Sequence, residues 1–598
     1  MTNRVWQAGD LKAEFEDGGL RYVTWRGVEI ARGIYAAVRD RDWGTVMPRL
    51  HDLVVTETGE EVAASFTCEH LREEIDFVWA GKIRISPRRI RFDFDGLARS
   101  SFLRNRIGFC VLHPMEFAGK ALTVQTADET VEGVFPEAIS PHQPFKRIQA
   151  MTYEPIPGLR VRMTFHGDLF EMEDQRNWTD ASYKTYCTPL DLPFPVRVQA
   201  GERIRQSLEM EVVALPADGQ SAYSAFAGMS TMSVTDEPCC RLPEIGFTLA
   251  DSACTEGELF TLKALQPSFL RLVLDLTQPD WLRLLQSAAE TAGRLGCDLE
   301  LETIAGDIRE MDSLLTWIAD RAAPVRRVLP FRNGEYVSDG QLLQAVKGMS
   351  ESRGLTLEVG GGTRAYYAEF NRARLPLDQM EFAAYTVNPQ VHAFDERSIM
   401  ETLDAQTVTA LDATNKTGKP LVIGPITLKP RLNPNATSGL SLTVREQSDA
   451  RLNTLFAAAW SLGSVAALSR PHVKGIIYFA LAGPLGLVEG ERIRPPFQVF
   501  KDLAVYQGAT VLQIKGQPGS IAVLALRKGE RRRILLANLT AARVETELVP
   551  GDCIPESLAT YSDDRMIPVN RECPPKGRVR IALGPYGYCR LDAVSRKR

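Results

Sequence analysis

Eight apolar runs decide how this chain folds: IGFTLA (245–250), FLRLVLDL (269–276), DLELETIA (298–305), RRVLPF (326–331), LTLEVG (355–360), MEFAAYTV (380–387), KPLVIGPIT (419–427) and GIIYFALA (475–482). Each is short and rich in leucine or β-branched residues, and each is followed by a segment with helical spacing. In DARLNTLFAAAWSLGSVAALSR, residues Leu452, Leu455, Phe456, Ala459 and Trp460 recur at three- and four-residue steps and predict one apolar helix face. An open doubly wound sheet alternates in the same way. Eight units of nearly even length between Ile245 and Tyr506 favour closure into a parallel (β/α)8 barrel of the TIM type, whose chemistry sits at the C-terminal ends of its strands.

The flanks have a different texture. Residues 1–235 hold short strand-like runs such as LRYVTWR (20–26), VAASFTCEH (62–70), KIRISPRRIRFDFDG (82–96) and GLRVRMTFHGDLFEME (158–173), parted by Gly, Pro, Asp and Asn. With no long helical pattern among them, they predict an antiparallel β-sandwich. The barrel domain is assigned to 241–505. Residues 506–598 return to strands in TVLQIKG, SIAVLALRKG, RRRILLANLT, RVETELV and RVRIALGPYGYCRL, a second and smaller β-sandwich domain. It either covers apolar barrel surface or makes contacts in a homo-oligomer, and packing on the barrel is the simpler role.

Composition narrows the function. With 598 residues, 44% hydrophobic and 24% charged, three cores can be buried without metals or disulfides. A net charge of -5 leaves no basic footprint for nucleic acid or an anionic membrane. The opening MTNRVWQAGD has no secretory pattern, and LFAAAWSLGSVAAL is too short to span a bilayer. Ten cysteines without metal-type spacing suit free thiols in a reducing cytoplasm. No cofactor motif appears: the three glycines of EVGGGTRAYYAEFNR lack dinucleotide spacing, GMSES at Gly348 lacks the second glycine of a nucleophile elbow, and none of seven histidines is paired as in a zinc site.

The barrel mouth then carries the chemistry. Alternation groups Arg271 with Asp275 against Leu270, Leu272 and Leu274, and Glu300 with Glu302 against Leu299 and Leu301. Charges facing a helix layer are costly, so these four are expected inside the barrel, either as a self-satisfied network with Glu358 or as part of a site. Three polar strings follow strands five, six and seven: GGGTRAYYAEFNR, TVNPQVHAFD and GPITLKPRLNPNAT. They supply Thr363, Arg364, Glu369, Asn371, Arg372, Asn388, Gln390, His392, Asp395, Thr427, Lys429 and Arg431, the mixed donors and acceptors that a polyhydroxylated ligand needs. Asn433 and Asn435, beside Pro434, read instead as turn formers. Tyr478, in the eighth strand, is added as a binding residue.

Those strings, with FPEAISPHQPF (135–145) and EDQRNWTDASYKTY (173–186) in the first domain, resemble the D-apionate lactonases of bacterial D-apiose catabolism over the full length. The resemblance implies hydrolysis of D-apionolactone, a branched sugar-acid γ-lactone, to D-apionate. It transfers no catalytic residue. The first domain also resembles the sugar-binding β-sandwiches of mutarotase-like proteins, in which His113, Glu173, Asp174, Arg176 and Asp180 would line a groove or else make strand-edge and interdomain hydrogen bonds.

Roles follow from the residues. Lactone hydrolysis needs a base for water, donors for the oxyanion and an acid for the ring oxygen. Glu302 or Glu300 is the expected base if burial lifts its pKa towards neutrality, and replacing either by Gln is expected to slow the reaction without loss of folding. His392 is the acid or an alternative base, ionising near about 6.5. Arg364 or Lys429 polarises the carbonyl. Asp275, Thr363, Glu369, Asn388, Gln390 and Arg431 complete the substrate contacts. Two alternatives stand beside this reading. A barrel glycoside hydrolase would need an Asn-Glu pair at strand four and a Glu at strand seven, whereas LPFRNGEY and IGPITLKPR lack them, although Glu335 is near. The other is a non-catalytic carbohydrate-binding protein.

Overall fold

The computed structural model describes residues 4–215, 230–250, 254–436, 442–571 and 577–596. They form two compact units: the described residues of 4–177, 181–215 and 435–436, and those of 178–180, 230–434 and 442–596.

In the first unit, two nine-stranded antiparallel sheets share one core. Strands such as Leu11–Glu16 and Ile75–Ser86 bury every second residue, so alternate side chains enter that core. Aromatic rings fill much of it: Trp6 stacks on Phe15 with centroids 4.4 Å apart, and Phe66 meets Trp79 edge-on at 5.4 Å. His113 is one of its core residues. Its ring bonds Thr185 Oγ1 at 2.9 Å, and burial pushes its pKa down to about 3. The buried Arg176 guanidinium grips Asp174 at 2.7 and 2.8 Å and donates to the carbonyls of Pro136 and Glu137, so it ties EDQRNW to FPEAIS.

The second unit holds the barrel. Its strands are Glu244–Thr248, Phe269–Asp275, Asp298–Ala305, Val325–Arg332, Glu358–Val359 resumed as Gly361–Tyr366, Ala383–Thr386, Leu421–Ile426 and Val473–Ala482, here called strands 1 to 8. Neighbours pair in parallel, and strand 1 pairs with both strand 2 and strand 8. The ring closes through strand 5. Glu358 and Val359 pair with Arg327 and Val328 of strand 4, and then Gly361 and Gly362 pair with Ala383 and Ala384 of strand 6. Glycine is required at this seam: a Cβ on Gly360 would enter the Phe382 ring, and one on Gly362, where φ is +130°, would strike the Ala384 carbonyl. The sequence reading ended this strand at Gly360 and put Thr363 and Arg364 in a loop. Both lie on the strand, because the glycines carry it past the seam.

A third sheet, also nine-stranded, completes this unit. Its strand Ser230–Arg241 precedes the barrel in sequence yet runs antiparallel to Thr510–Lys515 and parallel to Val544–Val549. Residues 230–235 therefore belong with the C-terminal sheet and not with the N-terminal sandwich to which they were assigned. The sheet also explains the helix Leu455–Leu468, which buries every residue but Ala466. One side packs on strand 8 and the helix Glu396–Thr417, and the other on the sheet strands Ile521–Lys528 and Arg531–Asn538. The expected one-sided face is thus an all-round apolar surface, and Leu452 sits outside the helix in the 3-10 turn Ala450–Asn453.

Candidate active site

Alternation along the strands sends Arg271, Glu300, Glu302 and Arg327 into the barrel, each at most 1% exposed. The parallel register sets Arg271 beside Glu300, and Glu300 beside Arg327. A column of ion pairs results. Arg327 Nη1 donates to Glu244 at 3.0 Å and its Nε lies 2.8 Å from Glu300 Oε2 as an ion pair without hydrogen-bond geometry, and Arg271 Nε donates to Glu300 at 2.6 Å while its Nη1 lies 3.8 Å from Glu302 Oε2. Arg327 also lies over the Phe269 ring at 4.1 Å. At the C-terminal end of the column, Glu302 Oε1 accepts from Arg364 Nε at 3.1 Å and lies 3.9 Å from Arg431 Nη2. A buried charge persists where it is paired in this way.

The column changes the roles expected of its carboxylates. Glu300 is clamped between two guanidiniums. Burial by itself would raise the Glu302 carboxyl, but Arg431, Arg364 and Arg271 outweigh it and leave its pKa below the ordinary carboxylate value. The expectation of a pKa lifted towards neutrality is thereby reversed, and Glu302 is a weakly basic partner of arginines, ionised at neutral pH. Burial lowers the pKa of Arg431 in turn, against the pull of Glu302.

A second arrangement lies at the same face, beyond strand 6. His392 Nδ1 is 2.6 Å from Asp180 Oδ2, both side chains being about one-eighth exposed, at 14% and 12%. Since a carboxylate can only accept, Nδ1 carries the proton, and Nε2 is the basic nitrogen of the neutral ring. Trp178 meets the imidazole edge-on at 5.5 Å, and the Arg372 guanidinium lies over the same indole at 5.0 Å. The segment Trp178–Asp180 is grouped with the barrel. Sequence reasoning gave Asp180 either to a first-domain groove or to strand-edge and interdomain hydrogen bonds and did not connect it with His392, because the two are separated by 212 positions with no local pattern to link them.

Other expected residues are placed otherwise. Tyr478 points away from the barrel interior: its hydroxyl donates to Ser464 Oγ at 2.8 Å in the helix layer, its ring lies 4.9 Å from Phe500, and the alternation that sends Ile477 inward requires this. Asp275 caps its own turn, accepting from Thr277 N at 3.0 Å and from Gln278. Glu358 lies at the opposite, N-terminal end of strand 5, paired with Lys474 and Arg326. Thr363 is spent on the Tyr336 carbonyl at 2.7 Å, and Glu369 closes a capping box on Tyr366 N at 3.1 Å. Gln390 is a strut that donates to Leu428 O and Asp449 at 2.6 and 2.7 Å and accepts from Arg451. Lys429 is half-buried, and its carbonyl accepts from Thr427 Oγ1. Asn388 is buried just past strand 6, with Oδ1 bonded to Gln390 N and Nδ2 lacking a hydrogen-bond partner. Among the described residues, no three His, Cys, Asp or Glu side chains gather as a metal site, and no helix is long and apolar enough to cross a membrane.

Comparison with known proteins adds a family to the fold. The chain is similar in structure to a GH30 endoxylanase from Clostridium papyrosolvens C71 with a TM-score of 0.45 at 12% identity, covering 61% of this chain and 100% of that one. A family 51 α-L-arabinofuranosidase from Bifidobacterium longum gives 0.47 at 11% identity, covering 60% and 99%. Likeness at this level carries no argument about activity. Sequence is more specific. The D-apionate lactonase of Brucella anthropi is 30% identical over 561 residues, covering 87% of this chain and 90% of the relative. Residues 1–214 match the N-terminal domain of D-apionate lactonase, 244–508 its TIM barrel domain and 518–591 its C-terminal immunoglobulin-like domain. With all three domains matched in order, the chain belongs to the D-apionate lactonase family.

Proposed function

We propose that the lactone opened by this family member is D-apionolactone, with D-apionate as product, and that His392 is the general base. The observation that carries the assignment is the 2.6 Å bond from His392 Nδ1 to Asp180 at the C-terminal face of the barrel. It fixes the tautomer in which Nε2 takes a proton from water. The hydroxide equivalent adds to the carbonyl carbon, and Arg364 and Arg431 face the oxyanion with guanidinium donors. When the ring C–O bond breaks, the imidazolium returns its proton to the departing alkoxide. A γ-lactone is an activated ester, so no covalent nucleophile is needed. Cys68, Cys110, Cys187, Cys239, Cys240, Cys254, Cys297 and Cys553 carry free thiols, which supports a reducing, cytoplasmic setting.

The test is proton release by the purified protein against D-apionolactone, a panel of other aldonolactones and aryl glycosides. Turnover of the branched lactone is expected, with His392→Asn slowed by roughly two or more orders of magnitude and losing the acid limb of its pH profile. Cleavage of aryl glycosides with lactones at the spontaneous rate would overturn the substrate. A His392→Asn protein with wild-type turnover and pH profile would overturn the base.

A further inference from the structure

The charges of the barrel column do not balance at its upper end. Arg271 and Arg327 are matched inside the barrel by Glu300 and Glu302. Arg364 and Arg431 then both lean on Glu302 Oε1, an oxygen of a carboxylate already shared with Arg271. At the N-terminal end Glu244 and Glu358 are offset by Arg326 and Lys474, so the charges below balance, and Arg364 and Arg431 add two guanidiniums to a neutral set. Arg431 Nη1 is buried with no hydrogen-bond partner, and so is Asn388 Nδ2. These donors come from the segments that follow strands 6 and 7. Buried donors in native proteins are otherwise almost always paired.

We infer that Arg364 and Arg431, with the Asn388 amide, form a carboxylate-binding site at the barrel mouth, and that its occupant is the ring-opened hydroxy acid. The identity of that acid rests on the lactonase reading, whereas the existence of an anion site does not. Hydrolysis adds water across the acyl C–O bond and gives a hydroxyl and a carboxylic acid, which releases its proton to solvent at neutral pH. The neutral lactone brings no charge to offset the two cations. The product brings a full one, in the planar two-oxygen form that guanidinium groups grip best. The site that stabilises the oxyanion therefore also retains the product. Glu302 sets the strength of that retention, because it competes with the product for the same two arginines.

The experiment is a calorimetric titration of the full chain with D-erythronate, a four-carbon aldonate, and with its uncharged amide. Erythronate is expected to bind at least about tenfold tighter than the amide, the factor that a hydrogen bond to a charged group is worth. It should also inhibit lactone hydrolysis competitively. Arg431→Gln should erase the preference for charge, and Arg431→Lys should keep part of it. Should Arg431→Gln not fold, Arg364→Gln serves in its place. Equal binding of acid and amide by the wild type, or an unchanged preference in the Gln variant, would overturn the site. Charge-selective binding without turnover of any lactone would leave the anion site standing and remove the lactonase reading. Turnover without charge-selective binding would do the reverse.

Discussion

Glu302 is held ionised by three arginines, and that has a cost in acid. Its folded pKa lies below the ordinary value of 4.5, so its pairing stabilises the fold above that pH and is lost as pH falls through the folded value. Glu302→Gln should therefore destabilise the protein by about 3–5 kcal/mol at pH 7, since it leaves buried guanidiniums uncompensated. It should also flatten the loss of melting temperature between roughly pH 5 and pH 3. Thermal melts of both proteins across that range check this, and a variant that melts like the wild type at pH 7 would contradict it. The sequence reading anticipated a slower but equally well-folded Gln variant. Alternation alone was enough to turn Arg271, Glu300 and Glu302 inward. It gave no means of seeing that Arg364, on strand 5, and Arg431, past strand 7, would converge on the same carboxylate, or that Asp180 would meet His392.

Among the elements, strand 5 shows where periodicity stops being informative. Seven other strands were legible because leucine and β-branched runs report burial directly. Strand 5 passes through three glycines, which carry no side-chain pattern, so its second half looked like a loop. Those glycines let two ladders meet at one strand. Gly362→Ala would add a Cβ against the Ala384 carbonyl at a φ of +130°, and backbone cannot give way as a flexible side chain does. The expected loss is about 3 kcal/mol or more, from strain and overpacking together. Gly334→Ala, also at positive φ but with nothing within 4 Å of the added Cβ, should cost less. Urea unfolding of the two variants makes the comparison, and equal losses would show that the seam is not tight.

For the molecule as a whole, the barrel and the third sheet stand or fall together. The helix Leu455–Leu468 is apolar on every side and needs both partners. A chain ending at residue 508 would expose its outer side, together with the strand Ser230–Arg241 stripped of its neighbours. Such a chain should aggregate, as size-exclusion chromatography and circular dichroism would reveal, and a monodisperse truncated protein with native spectra would refute the dependence. Composition and spacing made the order of domains visible in sequence. They could not show that one strand of the last sheet is contributed from before the barrel, because strand pairing leaves no trace in local pattern. That contribution has a consequence in time. Arg241 pairs with Thr510, about 270 residues later. At roughly 5–20 residues per second on the ribosome, the earlier strand waits about 15–50 seconds for its partner to be made. Throughout that interval its amide and carbonyl groups form an open edge on a nascent chain, and the cell must shield that edge until translation is nearly done.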